Sequence, residues 1–332
     1  MPSSQPIEPP LFAYVTDAIL DAVAVVDTAA NAVVARVPLG GFPSGIVNSP
    51  DGNVFVTQAR GLEGTGFIAI LDPTSHTVVA RIPVAEIGPH SIVITPDGRR
   101  AYAPGDDKVF VVDTAAKTVI ATVPVGPLAF GSGIAISPDG KHVYVASGSR
   151  TVSVLATNSN AVIATIQTPA NLGAVMRITV APDGKRAYVT SSIPTLGVLD
   201  TATNTISATI VVGNTQLEGV AFSPDGKHAY IAGTDEDLHS LFDSVGKMVV
   251  IDTATNTVEH AVPIPHTRLW EVAVSPDGKH AYFVGDEQVV RSSQPGNFLG
   301  HVEVFDTVAN TGGTSVLVGI DLRDITLTLA RR

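Results

Sequence analysis

The chain has 332 residues, 45% of them hydrophobic and 15% charged, with 31 acidic against 20 basic side chains and a net charge of −11. That balance, with no Lys/Arg run longer than two residues, argues against a nucleic-acid partner, which needs clustered cations to neutralise phosphates. The absence of cysteine excludes disulfides, thiolate nucleophiles and cysteine-bound zinc.

The apolar residues come in short β-branched runs, never in the long stretch that a membrane helix requires, so no membrane insertion is predicted. Residues 1–11 read as an N-terminal extension without the basic segment or apolar run of a signal peptide. With Met1 as the native start, the expected location is cytoplasmic. Were the chain trimmed, an extracytoplasmic location would remain open.

From residue 12 onward one pattern recurs to the end. Pro-Asp-Gly begins at Pro50, Pro96, Pro138, Pro182, Pro224 and Pro276, so successive copies lie 46, 42, 44, 42 and 52 residues apart. Self-similarity at this period is the signature of a propeller or solenoid. It overrides the two domains that length alone would suggest. An apolar strand leads into Pro-Asp-Gly, a turn in which Gly supplies backbone freedom. A second strand follows with an aromatic near its start: Tyr14, Phe55, Tyr102, Tyr144, Tyr188, Tyr230 and Tyr282. A third strand ends in Asp-Thr or its variant (Asp27, Asp72, Asp113, Ala156, Asp200, Asp252, Asp306). Then come a polar turn and an alternating Val/Ile strand such as 78–82. Both series count seven. No amphipathic helix is predicted.

The ends are out of phase with the repeat. The chain opens on a second strand, Phe12 to Thr16, and finishes on a first-strand run, Asp324 to Leu329. The last strand can therefore complete the first three, which removes the free sheet edges of an open array. The predicted fold is all-β: one domain over 12–332, a seven-bladed β-propeller of four-stranded antiparallel blades, closed by the C-terminal strand.

Tyr-Val-Thr at 14–16 and 188–190, with Ser-Pro-Asp-Gly-Lys at 137–141, 223–227 and 275–279, resembles the YVTN-type β-propeller repeat over essentially the whole chain. The resemblance implies the fold. Similar repeats occur in surface-layer proteins, and more distant propellers include phosphogluconolactonase-like and streptogramin-lyase-like enzymes. No catalytic motif of those enzymes is present, so no residue role is carried over.

Repeated residues build scaffold, so chemistry is sought where the copies differ. In a propeller the first strand lines the central channel. Its entrance and the loops between strands two and three form one face, the top; the Pro-Asp-Gly and Asp-Thr turns form the bottom. Six residues before each Pro stand Ser44, His90, Ser132, Met176, Glu218 and Trp270. One later stand Gly45, Ser91, Gly133, Arg177, Gly219 and Glu271. In the seventh copy the register is open between Arg323 and Asp324. A purely structural ring would use Gly and Ser throughout, and half of this one does. The rest collects residue types that bind and activate ligands.

Two longer loops face the same way, at 233–247 with His239 and Phe242, and at 285–300 with Arg291; both suit a pocket wall or lid. His266 and His301 are placed on or near this face. The sequence predicts Glu218, Glu271, His90 and Arg177 as catalytic. Trp270, Met176, Arg323, Asp324, His239, Phe242, His266, Arg291 and His301 are predicted to contact substrate. In one mechanism Glu218 or Glu271 is the base, His90 the acid, and Arg177 meets developing negative charge. That suits lyase, isomerase or lactone-hydrolase chemistry on a small molecule without a required cofactor. In another, His90 or His266 with carboxylates holds a divalent metal. The alternative is a non-catalytic scaffold binding a protein or surface polymer.

Overall fold

The computed structural model describes residues 9–61, 66–84, 91–128, 133–235, 245–265, 267–288 and 298–330. Twenty-eight strands form seven four-stranded sheets. The first blade takes β1 (Leu11–Asp17), β2 (Ala22–Asp27) and β3 (Ala32–Pro38) from the N-terminus and β28 (Leu322–Leu329) from the C-terminus. The second comprises β4 (Gly41–Asn48), β5 (Val54–Gly61), β6 (Gly66–Asp72) and β7 (Thr77–Val84). The third has β8 (Val93–Ile94), β9 (Arg100–Pro104), β10 (Lys108–Asp113) and β11 (Thr118–Pro124). The fourth has β12 (Ile134–Ile136), β13 (His142–Ala146), β14 (Thr151–Ala156) and β15 (Ala161–Gln167). The fifth has β16 (Val175–Val180), β17 (Arg186–Ser191), β18 (Thr195–Asp200) and β19 (Thr205–Val211). The sixth has β20 (Thr215–Phe222), β21 (His228–Asp235), β22 (Val245–Asp252) and β23 (Thr257–Pro265). The seventh has β24 (Thr267–Val274), β25 (His280–Gln288), β26 (Phe298–Asp306) and β27 (Thr311–Gly319). A short 3-10 turn at Ala170–Leu172 is the only helical element among the described residues.

All pairings within the blades are antiparallel, and β28 joins β1 through Leu11↔Leu329 to Asp17↔Leu322. The inner strands touch in a circle, β28 to β4, β8, β12, β16, β20, β24 and back to β28. The fold is thus a closed seven-bladed β-propeller, one strand plus three, as the out-of-phase termini predicted.

Burial follows position in the blade. Second and third strands are buried along nearly their whole length, as in β1 and β2. The outermost strands alternate exposed and half-buried residues, as in β3, β7 and β11. A strand covered on both faces reads as a continuous apolar run, and one that faces water on one side alternates. Among the described residues the apolar core divides into seven clusters, one per seam. Tyr14, Val25 and Leu39 of the first blade meet Ile46, Val56 and Leu71 of the second, and the last seam joins the seventh blade to Leu322, Ile325 and Leu327 of β28. Each blade buries its faces only against its neighbours, so the ring is stable as a circuit.

Two buried carboxylates fasten the approach to the closing strand. Asp17 accepts the N–H of Ile320 at 2.9 Å and of Leu20 at 3.0 Å. Asp286 accepts the N–H of Leu322 at 3.2 Å and the indole N–H of Trp270 at 2.7 Å. Together they tie the β27–β28 connection to the first and seventh blades.

Candidate functional site at the channel mouth

The site is built by the inner strands. One aliphatic residue from each blade closes a ring across the channel: Ile46, Ile92, Ile134, Ile178, Val220, Val272 and Ile325. Their exposures lie between 4% and 6%, the uniformity expected when seven equivalent strands meet at one axis. The residue before each is the mouth position: Gly45, Ser91, Gly133, Arg177, Gly219, Glu271 and Asp324. The seventh register, open in the sequence, is therefore filled by Asp324.

Bulges just above the aliphatic ring aim these residues. The strand register shifts between Val175 and Ile178, between Leu217 and Val220, and between Leu269 and Glu271. A bulge kinks its strand and redirects a side chain. The aromatic-Val-Thr segments hold three of the mouth residues. Thr190 Oγ1 accepts the backbone N–H of Arg177 at 3.1 Å, and Thr16 Oγ1 that of Asp324 at 3.0 Å. Thr57 does the same for Gly45 at 2.8 Å. All three threonines are fully buried. A residue whose type identifies the repeat thus positions the site.

The glycines of the ring are steric requirements. A Cβ on Gly219 would lie 2.6 Å from the Glu271 Cα and would collide with the Glu271 carboxylate. One on Gly133 would lie 2.7 Å from the Arg177 Cα. Glycine in one blade lets the charged side chain of the next lie across it.

Arg177, Glu271 and Asp324 converge on a cavity of ≈180 Å³ whose walls come from all seven blades. Arg177 Nε stands 3.6 Å from Glu271 Oε2, and the two side chains are 23% and 17% exposed. Glu271 Oε1 also accepts the Val272 N–H at 3.2 Å. Asp324 is held by two backbone donors, Ile46 N–H at 2.9 Å and Ile325 N–H at 2.8 Å. Burial over the aliphatic ring pushes the Glu271 carboxyl well above the usual carboxylate range; Arg177 opposes this, and the negative charge of Asp324 adds to it. Burial also raises Asp324, against the Ile46 N–H and Arg177. Two carboxyl groups facing one guanidinium resist losing both protons. The pair therefore holds one proton to higher pH than a lone carboxylate does. The geometry brings two carboxyl groups that share a proton and a fixed cation together in one half-open cavity.

The other predicted site residues fall elsewhere. Met176, Glu218 and Trp270 stand one residue before the mouth position and do not line the cavity. The Met176 carbonyl accepts the Gly133 N–H at 2.8 Å. Glu218 is half-buried beside Gln216. Trp270 packs into the seam between the seventh and first blades and donates to Asp286. Arg323 pairs with Asp321 at 2.7 Å. His301, on β26, meets Ser315 at 3.0 Å and Glu287 at 3.4 Å. His90, His239, Phe242, His266 and Arg291 lie outside the described residues. No group of three or more His, Asp or Glu able to hold a metal occurs among the described residues, and no helix among them is long and apolar enough to cross a membrane.

Asp286 is the functional-looking group that sequence reasoning passed over. Burial, opposed by the Trp270 and Leu322 donors, raises its carboxyl to about 7. It lies outside the Pro-Asp-Gly and Asp-Thr positions, and only the fold brings it to Trp270 and Leu322.

No family model matches the chain. Over 137 residues it is 30% identical to the seven-bladed beta-propeller protein Rv1057 of Mycobacterium tuberculosis. That stretch takes in 41% of this chain and about a third, 34%, of the relative's length. Among solved structures it is similar to the hydrazine synthase of Kuenenia stuttgartiensis, with TM-score 0.72 and 21% identity over 87% of this chain and 95% of that one. A functionally unknown protein from Desulfotomaculum acetoxidans gives TM-score 0.73 and 18% identity, covering 96% and 99%. The dihydro-heme d1 dehydrogenase NirN, solved in complex with DHE, gives 0.65 and 17%, covering 98% and 77%. At these identities the likeness carries the architecture and leaves the ligand open. The chain is a seven-bladed β-propeller, and its fold is shared with proteins of different activities.

Proposed function

We propose that the protein binds a small polar molecule at the mouth of its channel and transforms it by acid–base chemistry. The observation that carries this reading is the convergence of Arg177, Glu271 and Asp324 on one half-open cavity. Near neutral pH, Glu271 and Asp324 share a proton, so that one is the general acid and the other the general base. Arg177 holds an anionic group or meets negative charge that develops during reaction. This division of roles draws both proton-transfer groups from the cavity lining and does without Glu218. The cavity of ≈180 Å³ is smaller than the several hundred Å³ typical of drug-sized ligand pockets, which favours a compact substrate such as a hydroxy acid or a sugar-acid lactone. Proton transfer next to a carboxylate, or opening of a lactone ring, fits the three groups.

The test is a turnover screen over small hydroxy acids, their lactones and uronic acids. Wild-type protein should convert one class, and R177M should raise KM more than it lowers kcat if Arg177 anchors the anion. No conversion of any class, with no ligand-induced rise in melting temperature, would sink the proposal.

A further inference from the structure

On the bottom face, neighbouring blades are latched at three seams by a related contact. The tyrosine early in the second strand of one blade reaches the left-handed residue in the polar turn of the next. Tyr102 donates to Asn160 Oδ1 at 3.1 Å and Tyr188 to Asn256 Oδ1 at 2.7 Å. The Tyr14 hydroxyl meets His76 Nδ1 at 2.8 Å. The turn residues have φ of +49°, +55° and +52°. Arginines two residues earlier add a second latch: Arg100 donates to the Thr157 carbonyl and Arg186 to that of Thr253.

The seam between the second and third blades departs in three ways. Phe55 replaces the tyrosine and has no hydroxyl. Lys117, at φ +57°, replaces the asparagine. The Pro-Asp-Gly turn is also one residue shorter: the Ser49 N–H reaches Asn53, four residues on, whereas Thr95 and Ala181 reach Arg100 and Arg186, five on. The residue lost is the counterpart of Arg99, and Asn53 stands where Arg100 and Arg186 stand in the third and fifth blades. A cavity of ≈650 Å³ opens at this seam, within the usual range of small-ligand pockets.

Its apolar wall is Phe55, Ile70 and Val79, and Arg99 and Lys117 stand among its lining residues. Three carboxylates also line it, but each is engaged by its own turn. Asp113 Oδ1 accepts the N–H groups of Ala115 and Ala116 at 3.0 and 2.7 Å. Asp97 Oδ1 accepts the Thr95 hydroxyl at 2.6 Å and the Arg99 N–H at 3.0 Å. Asp51 accepts the Asn53 side-chain amide at 2.8 Å. Arg99 Nε stands 3.9 Å from Asp97 Oδ2 in an exposed pair, and its guanidinium, like the Lys117 ammonium, carries further donors to offer a ligand.

We infer that this seam is a second binding site, for an aryl carboxylate whose ring takes the place of the missing phenol beside Phe55 and whose carboxylate meets Lys117 and Arg99. It is independent of the channel site, on the opposite face and built from two blades instead of seven.

The experiment is calorimetric titration with 4-hydroxybenzoate, with tyramine as the cationic counterpart, on the full chain. Wild-type protein should bind one equivalent of 4-hydroxybenzoate at least tenfold more tightly than tyramine. F55Y/K117N, which installs the Tyr–Asn pair that latches the third blade to the fourth and the fifth to the sixth, should weaken binding at least tenfold while melting no lower than wild type. R177M should leave it unchanged. Absence of binding, preference for tyramine, indifference to F55Y/K117N or loss in R177M would each overturn the assignment, the last because it moves the probe into the channel.

Discussion

The channel mouth and the seam between the second and third blades depart from the same repeat in opposite directions. At the mouth, side chains are added: Arg177, Glu271 and Asp324 stand where other blades place Gly or Ser. At the seam, side-chain atoms are removed: the hydroxyl of a tyrosine, the guanidinium of an arginine whose place Asn53 takes, and an asparagine amide. Addition at the axis concentrates charge, because seven strands bring it to one point. Removal at the periphery leaves space, because two blades latched elsewhere by polar contacts are unlatched there. In both places the scaffold sets where a departure falls and the departure sets its chemistry.

The largest effects should arise at the mouth. E271Q and D324N each remove a proton-transfer group while keeping shape, so kcat should fall by about 10²–10⁴-fold with little change in melting temperature. Equal loss in E218Q would break the distinction between cavity-lining residues and their neighbours.

A pH series separates buried from exposed carboxylates. Asp286 is raised from 3.8 to about 7, so the folded state binds this proton more tightly than the unfolded one. Its contribution is full below about pH 4 and is lost as pH rises through about 7. The loss amounts to roughly 4 kcal/mol at most. Glu271 and Asp324, both raised, act with the same sign. Urea unfolding at pH 5 and pH 8 should show D286N gaining on wild type as pH rises. An unchanged difference would remove the buried-proton account. Bottom-face carboxylates such as Asp139, lowered to about 2 chiefly by the Ser137 hydroxyl, have the opposite sign. Their stabilisation is present above the ordinary carboxylate range and lost only as pH falls toward 2.

Gly219→Ala places a methyl group against Glu271 and should cost about 1–3 kcal/mol, together with most of the turnover. Glycine at the mouth would lose its assigned role if the variant kept full activity. Y188F, which deletes one latch at an intact seam, should cost about 1 kcal/mol. F55Y/K117N should gain no more than that. Chemical denaturation of the pair would sharpen the contrast between latched and unlatched seams, and equal effects would erase it.

The amino-acid sequence by itself determined the architecture. Six Pro-Asp-Gly turns, seven aromatic positions and termini out of phase with the repeat specify seven blades and their closure, because identical units can bury their faces only against each other. It also marked Arg177 and Glu271, since a charge in a ring of Gly and Ser stands out. The tertiary structure decided which of two adjacent series enters the channel. Strand side chains alternate, and a bulge whose position no spacing reveals turned residue 271 inward and left Trp270 in a seam. It likewise decided the register of Asp324, the burial that raises its carboxyl, and the meeting of Trp270 with Asp286. The Phe55 and Lys117 substitutions were visible in the sequence but had no meaning until the fold set them face to face across one seam. Contacts between residues dozens of positions apart depend on how the blades pack, which no local pattern encodes.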